Sequence, residues 1–339
     1  MHCMDWKNKL LPLGAMLTVF CLLLCGCGGE EKQTIQFFAM DTVMRMTAYG
    51  DNAQDGLAQA RDTVETLAVM LDAQKKDSAL SRLHSGDTVS TFIQYPLNMA
   101  KHISRLTDGA LDILLYNLTD AWGFYTKAYR VPESVEIQQL LDKKGQWDID
   151  GNVYTCTEGT KLDLGSLAKG YAAAKAVETL RNCGVHSAIF SLGGNVQTLG
   201  QKPDGSDWTV AVTDPLSPQD TVGNLHVGEC AVVTSGSYQR NFTRDGKTYH
   251  HILDPKTGCP ADSGLLSVTV LCEDGTAADG LSTALFVLGA EQTAALYKTS
   301  DIPFEALLIT EEKEIRMTEG LSALFEQTNE TYAPAKILP

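Results

Sequence analysis

The clearest change of hydrophobic pattern in the chain lies between Ser267 and Gly289, where a strand pattern gives way to a helix pattern. Apolar and β-branched residues alternate from Val268 to Cys272, which predicts a strand. After a short turn, apolar residues recur at the i, i+3, i+4 and i+7 positions of a buried helix face: Leu281, Ala284, Leu285 and Leu288. Gly289 suits the C′ position, because glycine adopts a left-handed conformation at no steric cost.

Asp279 and Thr283 place a carboxylate and a hydroxyl within this apolar helix. Because residues four apart share a helix face, both groups point the same way near the helix N-terminus. Oxygen ligands so placed suit a hard cation such as Mg²⁺. The alternative is structural: an acid of the first helical turn and a core threonine bonded to the backbone. The stretch alone favours the structural interpretation.

The rest of the pattern mixes strands and helices without a repeat of fixed period. Further helices are predicted over 51–71, 97–107, 135–144, 166–182 and 292–298, and a polar turn followed by a short helix over 75–84. Further strands or hairpins are predicted over 36–49, 148–156, 161–164, 185–190, 208–213, 230–234, 243–251 and 306–317. Strands and helices do not alternate strictly, so the predicted fold class is α+β, with mixed sheets and helices packed on them.

The composition is that of an acidic globular protein. The chain has 339 residues, 44% of them hydrophobic, and a formal net charge of −15. It is long enough for one large domain or two modest ones. Such a charge repels nucleic acid, so no nucleic-acid partner is expected. An acidic protein that binds an anionic ligand needs local basic side chains, backbone N–H groups or a cation.

Residues 1–27 have the pattern of an export signal. Basic residues precede an apolar run over 10–24, which is shorter than a membrane-spanning helix requires. The run ends in Leu24-Cys25-Gly26-Cys27, which resembles a bacterial lipobox with Cys27 as the lipidated residue. Diacylation of Cys27 would tether the protein to the cell membrane on its extracytoplasmic side. The alternative is an ordinary cleaved signal peptide, and in both cases residues 28–34 read as a flexible tether.

Five cysteines lie outside the export segment, an odd number without Cys-x-x-Cys spacing: Cys156, Cys183, Cys230, Cys259 and Cys272. This spacing predicts neither a zinc site nor a disulfide framework, and at least one thiol should be free.

A second candidate site lies at 162–171, where a predicted strand ends at Asp163 and a helix begins after Gly165. The free N–H groups of the helix N-terminus, with Lys169 in its first turn, would form a cradle for a phosphate. Asp163 would accept hydrogen bonds from the ligand. The alternative is a plain strand–turn–helix in which Asp163 caps the helix.

Three further segments indicate by themselves only turns or loops: Asp108–Asp112, Ser191–Asn195 and Thr234–Tyr238. His250 and His251 precede a turn at Asp254–Gly258. Neighbouring residues of a strand face opposite ways, so at most one of the two histidines faces a given site.

Taken in order, these motifs resemble the ApbE family, the FAD:protein FMN transferases, many of which are lipoproteins. The ordered set consists of AMDT (39–42), DSALSRL (77–83), GALD (109–112), DLGSLAKGYAAA (163–174), SLGGN (191–195), VTSGSY (233–238), HHILDPKTG (250–258) and ADGLSTALFVLG (278–289). The resemblance implies a mixed fold related to the T-fold over residues 35–335. It also implies Mg²⁺-dependent cleavage of FAD at its pyrophosphate, transfer of FMN to a Ser or Thr hydroxyl of an acceptor protein, and release of AMP.

The resemblance further implies roles for particular residues. FAD would contact Met40, Ala110, Leu111, Asp112, Asp163, Lys169 and the backbone around Ile252 and Leu253. Mg²⁺ would be held by the Asp279 and Thr283 side chains and the Ser166 carbonyl, with Ser282 as a neighbour. His251 would lie close to the phosphates and deprotonate or orient the incoming hydroxyl. Asp279 or a metal-bound hydroxide are the alternatives for the base.

Two positions depart from the family pattern. The family often has a tyrosine before the DS motif, which stacks on the flavin side of the site, and this chain has Gln74. Asp41 replaces the usual glycine of the first motif. Both departures concern the flavin side of the site and leave the predicted metal ligands intact.

Two other functions share part of this pattern. A Mg²⁺-dependent FAD pyrophosphatase, giving FMN and AMP with water as nucleophile, would use the same residues. A lipid-anchored solute-binding protein would instead have two lobes of repeated βα units. For the transferase, the expected partner is an acceptor protein, an extracytoplasmic electron-transfer subunit reached from the membrane through the lipid anchor.

Overall fold

The computed structural model of the protein describes residues 31–339. The expected signal peptide, its lipidated Cys27 and residues 28–30 of the expected tether lie outside the described residues. Within residues 31–339, no helix is both long and apolar enough to cross a membrane. The five cysteines of this part of the chain are all free thiols, in agreement with their spacing.

Helices and strands both contribute to the described part of the chain. Its α-helices are α1 (Ala53–Met70), α2 (Thr91–Leu106), α3 (Tyr116–Ala121), α4 (Ser134–Asp142), α5 (Ala168–Asn182) and α6 (Gly275–Thr299). Its strands are β1 (Lys32–Ala39), β2 (Thr42–Tyr49), β3 (Trp147–Asp150), β4 (Val153–Cys156), β5 (Ser187–Leu192), β6 (Asn195–Leu199), β7 (Trp208–Asp214), β8 (Ser217–Val227), β9 (Ala231–Gly236), β10 (Asn241–Arg244), β11 (Lys247–His250), β12 (Leu265–Cys272), β13 (Glu305–Thr310), β14 (Ile315–Met317), β15 (Phe325–Gln327) and β16 (Lys336–Ile337). The α+β fold class is therefore confirmed.

A nine-stranded sheet organises the fold, with strand order β1-β2-β5-β6-β9-β12-β13-β14-β16. Residues of its strands alternate between two hydrophobic clusters, because successive side chains point to opposite faces. In β13, Ala306 and Leu308 face the main core beneath α1, α5 and α6, whereas Leu307 and Ile309 face the small sheet β15-β8-β7. This arrangement lacks the two lobes of βα units expected for a solute-binding protein.

A third cluster holds the 250–258 segment against the helices α3 and α4. Leu253 is buried with Leu118, Trp122, Phe124 and Ile137. The indole N–H of Trp122 donates to the carbonyl oxygen of Gly258 at 2.9 Å. The histidine motif is thereby fixed beside the segment that follows Asp112.

The strand–turn–helix predicted over 267–289 is confirmed by β12 and α6. The helical hydrogen bonding continues to Thr299, but Gly289 has φ 78° and breaks α6 into two parts. The predicted C′ glycine and the separate helix over 292–298 are therefore both present. The hairpins predicted over 148–156, 243–251 and 306–317 are also observed.

The first predicted strand, 36–49, is wrong as a single element, because it is the hairpin of β1 and β2. Ala39 pairs with Thr42, so only Met40 and Asp41 form the turn. Their φ angles are 48° and 60°, the pair of positive values that a two-residue hairpin turn requires. The turn escaped prediction because neither residue is glycine.

The predicted helix over 75–84 and the predicted strand over 161–164 are absent; both segments are turns or extended loops. In the first, the Ser78 hydroxyl accepts a hydrogen bond from the backbone N–H of Ser81 at 3.0 Å. Such side-chain bonds compete with helical ones. The helix predicted over 97–107 begins earlier, at Thr91.

Four strands were not predicted: β6, β8, β15 and β16. β6 was missed because it buries polar residues, among them Asn195 and Gln197, and β8 was missed because its first half is exposed and polar. β15 and β16 span three and two residues, too few to show a hydrophobic pattern. Regular structure begins with β1 at Lys32, inside the expected tether, and ends with β16 at Ile337.

Candidate functional site

Asp279 lies in the first part of α6, where only 3% of its surface is exposed. One carboxylate oxygen, Oδ2, accepts a hydrogen bond from the backbone N–H of Gly170 at 2.9 Å. Among residues 31–339, no basic side chain forms an ion pair with Asp279. A buried carboxylate with a single hydrogen bond is costly unless a positive charge compensates it, so this position favours a bound cation.

The N-terminus of α5 supplies a second free oxygen. In a regular helix the N–H of Gly170 would bond the carbonyl of Ser166, four residues earlier. That N–H bonds Asp279 instead, and the Ser166 carbonyl accepts no hydrogen bond from any described residue. The Asp279 carboxylate and the Ser166 carbonyl, the two groups expected to share a metal ion, are therefore linked through Gly170. The carboxylate accepts the Gly170 N–H, and the carbonyl is left without it.

Three hydroxyl groups surround the first turns of α6. The Ser282 hydroxyl donates to the Asp279 carbonyl at 2.9 Å and lies 2.8 Å from the Ser235 hydroxyl. The Thr283 hydroxyl makes only long contacts, 3.4 Å each to the Asp279 carbonyl and the Ser235 hydroxyl. Thr283 is therefore freer than Ser282 to bind a metal. Ser235 was not predicted as a site residue, although its VTSGSY motif was noted.

The donor set of Asp279, Ser166 and Thr283 fits Mg²⁺, because all three donors are hard oxygen atoms. Residues 31–339 contain no group of three or more His, Cys, Asp or Glu side chains that could enclose a metal. A site with one carboxylate suits Mg²⁺ in particular, since this ion is commonly held by one or two carboxylates together with substrate phosphates.

Two glycines bring α5 and α6 together at this point. A Cβ atom on Gly170 would lie 2.0 Å from the carbonyl oxygen of Gly275 and 2.7 Å from Cβ of Asp279. A Cβ atom on Gly275 would lie 2.8 Å from the carbonyl oxygen of Gly170. Backbone can therefore touch backbone only because both positions lack a side chain.

His251 is held by Arg240 and lies near Lys169 of α5. The region bounded by His251, Lys169 and Asp279 is called the cleft. Its backbone N–H and its ring Nδ1 lie 3.0 Å and 3.3 Å from the Arg240 carbonyl oxygen. A carbonyl can only accept, so Nδ1 carries the proton and Nε2 carries the free lone pair. Burial, with the nearby positive charges of Arg240 and Lys169, lowers the pKa of His251 to about 3. The ring is therefore neutral at physiological pH.

Lys169 and Arg240 are the cations of this cleft. Neither side chain forms an ion pair with a carboxylate in the described part of the chain, although the Arg240 guanidinium donates to the Phe124 carbonyl at 2.8 Å. Both are close enough to His251 to disfavour its protonated form. Together with the helix N-terminus at Ala168, they provide the positive potential that an anionic ligand needs here.

His250 is a structural residue, as the alternation along a strand predicts. Its ring is buried, with Nε2 lying 3.1 Å from the Ala261 carbonyl oxygen and the ring edge packed on Phe286. Burial lowers the pKa of His250 as well. His251, in contrast, is only partly buried and lies near the charge of Lys169.

For Asp163, the sequence left open whether the carboxylate caps the turn or bonds a ligand. One carboxylate oxygen accepts the Gly165 N–H at 2.8 Å, as a turn cap would. The other accepts a hydrogen bond from the Tyr125 hydroxyl. The Asp163 N–H donates to the Ile113 carbonyl at 2.8 Å, which joins this turn to the loop that carries Asp112.

The other predicted FAD contacts can be made mainly through the backbone. The side chains of Ala110, Leu111, Ile252 and Leu253 are buried in the hydrophobic core. The Asp112 carboxylate is paired with Lys144 at 2.6 Å. A ligand would therefore contact the backbone of these residues, because their side chains are buried or already paired.

Met40 lies in the β1–β2 turn, at the same end of the sheet as the SLGGN motif. A Cβ atom on Gly193 would lie 2.4 Å from the Thr42 hydroxyl. The carbonyl of Gly194 in turn accepts the N–H of Thr234 at 3.2 Å, next to Ser235. The first motif is thus connected through two turns to the hydroxyl cluster on α6.

Comparison with known proteins matches this chain to one family. A sequence model of the ApbE family matches residues 40–308. A protein of Klebsiella pneumoniae named FAD:protein FMN transferase is 34% identical over 252 residues, covering 72% of this chain and 77% of the relative. One of the same name from Treponema pallidum is 30% identical over 354 residues, covering 94% and 95%.

Solved structures agree with the sequence comparison. The ApbE protein of Thermotoga maritima superposes with a TM-score of 0.79 at 28% identity, covering 88% of this chain and all of its own. The flavin transferase ApbE of Vibrio cholerae gives a TM-score of 0.74 at 26% identity, covering 88% of this chain and 97% of its own.

Proposed function

The chain belongs to the ApbE family, and we propose that it cleaves FAD and attaches the FMN moiety through a phosphoester bond to a Ser or Thr hydroxyl of an acceptor protein, releasing AMP. It is thus a transferase, an FAD:protein FMN transferase, with FAD as its substrate. The observation that carries the proposal is the buried carboxylate of Asp279. It has no cationic partner in the described chain, and it accepts the Gly170 N–H that the Ser166 carbonyl would bond in a regular helix.

We propose Asp279, Thr283 and the Ser166 carbonyl as the ligands of Mg²⁺. When bound there, the ion would neutralise charge on the pyrophosphate oxygens and on the departing AMP. Lys169 and the N-terminal N–H groups of α5 would hold the phosphates from the side of the cradle. This local positive charge accounts for the binding of an anionic dinucleotide by a protein whose formal net charge is −15.

His251 is the proposed general base. The acceptor hydroxyl oxygen forms a new bond to the phosphorus atom of the FMN moiety, and the bond from that phosphorus to the oxygen of AMP breaks. The hydroxyl proton passes to Nε2 of His251, whose lone pair is free because Nδ1 bonds the Arg240 carbonyl. The lowered pKa keeps the ring neutral, so that the lone pair of Nε2 is not already protonated at physiological pH.

The test uses the purified chain with FAD, Mg²⁺ and a threonine-bearing acceptor domain. Intact-mass spectrometry should show an acceptor heavier by one FMN, and chromatography should show AMP in equal amount. With the metal chelated, both products should disappear. Free FMN without a mass change would instead indicate the pyrophosphatase alternative, and undiminished AMP release under chelation would refute the metal ligands.

We further propose that Cys27 is lipidated and that the protein faces the extracytoplasmic side of the cell membrane. The acceptor would then be an extracytoplasmic electron-transfer subunit within reach of the tether. Labelling of the full chain with a radioactive fatty acid should mark the wild type and not the Cys27→Ala variant. Equal labelling of both would contradict the anchor.

A further inference from the structure

Two tyrosines that the motifs did not single out lie beside Asp163. Tyr116, the first residue of α3, and Tyr125 have ring centroids 5.0 Å apart and planes inclined by 35°. Both side chains are partly exposed. We call this pair the tyrosine platform.

A hydrogen bond to Asp163 fixes the position of the tyrosine platform. The Tyr125 hydroxyl donates to one oxygen of Asp163, whose other oxygen is held by the Gly165 N–H. The turn that positions Asp163 also starts α5, the helix that carries Lys169 and Gly170. The platform therefore lies beside the turn that leads into the phosphate cradle.

The charge of Asp72 links Tyr116 to the loop of Gln74. Burial, together with the negative charges of Asp120, Asp163 and Asp72, raises the pKa of the Tyr116 hydroxyl. Asp72 in turn accepts the backbone N–H of Gln74 at 2.9 Å. Asp72 therefore connects Tyr116 with position 74, where this chain has an amide in place of the aromatic ring typical of the family.

The Tyr116 ring is partly exposed to solvent, where a ligand could reach it. The Lys161 ammonium lies over this ring, 4.7 Å from its centroid, at the end of an exposed side chain. Contacts between exposed cations and rings are weak, so a larger planar group can displace the ammonium and stack on the tyrosine.

We propose that Tyr116, supported by Tyr125, is the stacking surface for the isoalloxazine ring of FAD, and that it replaces the aromatic residue absent at position 74. This inference rests on the proposed function, since it assigns a part of the same FAD site. Tyr116 determines affinity for the flavin half of the dinucleotide and takes no part in the bond-breaking step.

The first experiment measures binding of FMN and of AMP separately, without turnover. Tyr116→Leu should weaken FMN binding about tenfold and remove the quenching of flavin fluorescence by the tyrosine, since ring stacking contributes on that scale. AMP binding should be unchanged. Phe92→Leu, which alters another exposed aromatic residue on α2, is the matched control and should bind FMN as the wild type does.

The second experiment is a rescue. Adding Gln74→Tyr to Tyr116→Leu should restore most of the lost FMN affinity, because either position can present a ring to the same ligand. Tyr116→Phe and Tyr116→Trp keep a ring and should bind FMN like the wild type, which covers the case in which Tyr116→Leu folds poorly.

Three results would overturn the inference: unchanged FMN binding in Tyr116→Leu, a loss of AMP binding in place of FMN binding, or no rescue by Gln74→Tyr. The proposed function fails on a different result, the absence of Mg²⁺-dependent AMP release from FAD by the wild type. The two failures can therefore be told apart.

Discussion

The two ends of the cleft are built in different ways. The metal end (Ser166, Asp279 and Thr283) lies where two long helices meet, and Asp279 is buried. The ring end (Gln74, Tyr116 and Tyr125) lies on a turn, a short helix and a loop, and its side chains are partly exposed. At the metal end, contact between the backbones of two helices fixes the positions of the ligands. At the ring end, loops can present an aromatic side chain from more than one position in the sequence.

This difference explains which residues can change. At the metal end, Gly170 touches the backbone of Gly275, so no side chain fits, and the Gly170 amide must bond Asp279. At the ring end, a flat ligand needs only an aromatic face at roughly the right place. Substitutions at the metal end should therefore cause large losses of activity or stability. At the ring end, an aromatic residue at another position should be able to replace one that is lost.

Removal of the Asp279 carboxylate tests the comparison with the largest effect. Asp279→Ala should lower the rate of AMP release roughly a thousandfold, because it removes the only carboxylate among the proposed ligands at the reacting phosphate. It should also abolish the rise in thermal unfolding temperature that Mg²⁺ causes in the wild type. FMN binding at the ring end should persist.

Asp220→Ala is the matched control, because Asp220 is an exposed aspartate on β8 in the small sheet. It should retain both the activity and the Mg²⁺ effect. If Asp279→Ala still gains thermal stability from Mg²⁺, the ion binds elsewhere and the metal end is wrongly assigned.

His251 provides the next largest effect. His251→Ala should slow transfer about a hundredfold while FAD still binds, because general-base catalysis contributes on that scale. A variant that loses FAD binding instead would make His251 a binding residue.

The pH dependence sharpens this assignment. The His251 pKa is lowered from 6.5 to about 3, so the neutral, proton-accepting form persists as the pH falls from about 7 to about 5. The rate of a single turnover should then stay nearly constant over that range. An ordinary histidine would lose most of its activity there, and such a loss would contradict the assignment.

Gly170→Ala breaks the helix contact itself. Its Cβ atom would lie 2.0 Å from the Gly275 carbonyl oxygen, so α5 and α6 must move apart. We expect a loss of about 3 kcal/mol in the free energy of unfolding and a weaker response to Mg²⁺. Chemical denaturation measures the first quantity and thermal unfolding with added metal the second.

The control for Gly170 is Gly228→Ala, where no atom lies within 4 Å of an added Cβ and φ is not positive. It should unfold like the wild type. Equal stability of the two variants would show that the helices adjust freely, and the metal end would then be no more rigid than the ring end.

The difference between the metal end and the ring end also explains which site residues could be predicted from the sequence. Asp279 could be identified from the sequence because a carboxylate is unusual within the apolar positions of a helix. The ordered set of family motifs then favoured a metal ligand over a structural residue at this position. Tyr116 carries no such signal, because its neighbours in the fold, Asp163 and the loop of Gln74, are distant along the chain. The turn at Met40 and Asp41 was missed because it adopts positive φ angles without glycine.

Asp41→Gly, in the β1–β2 turn that the family pattern assigns to the flavin side, gives the smallest expected effect. Asp41 has φ 60° at the second position of the β1–β2 turn, where glycine relieves the steric cost of a left-handed backbone. Glycine also makes the unfolded chain more flexible, which offsets that gain. We therefore expect a change of less than about 1 kcal/mol in the free energy of unfolding, measured by chemical denaturation.

Asp245→Gly is the matched variant, since Asp245 has φ 51° in the exposed β10–β11 turn. The two variants should change stability alike, because both replace an aspartate held at positive φ in a two-residue turn. Only Asp41→Gly should also change FMN affinity, and by no more than about threefold, since it removes one exposed negative charge near an anionic ligand. A large loss of FMN binding in Asp41→Gly would mean that the turn itself contacts the flavin, and the ring end would then depend on backbone geometry as strictly as the metal end does.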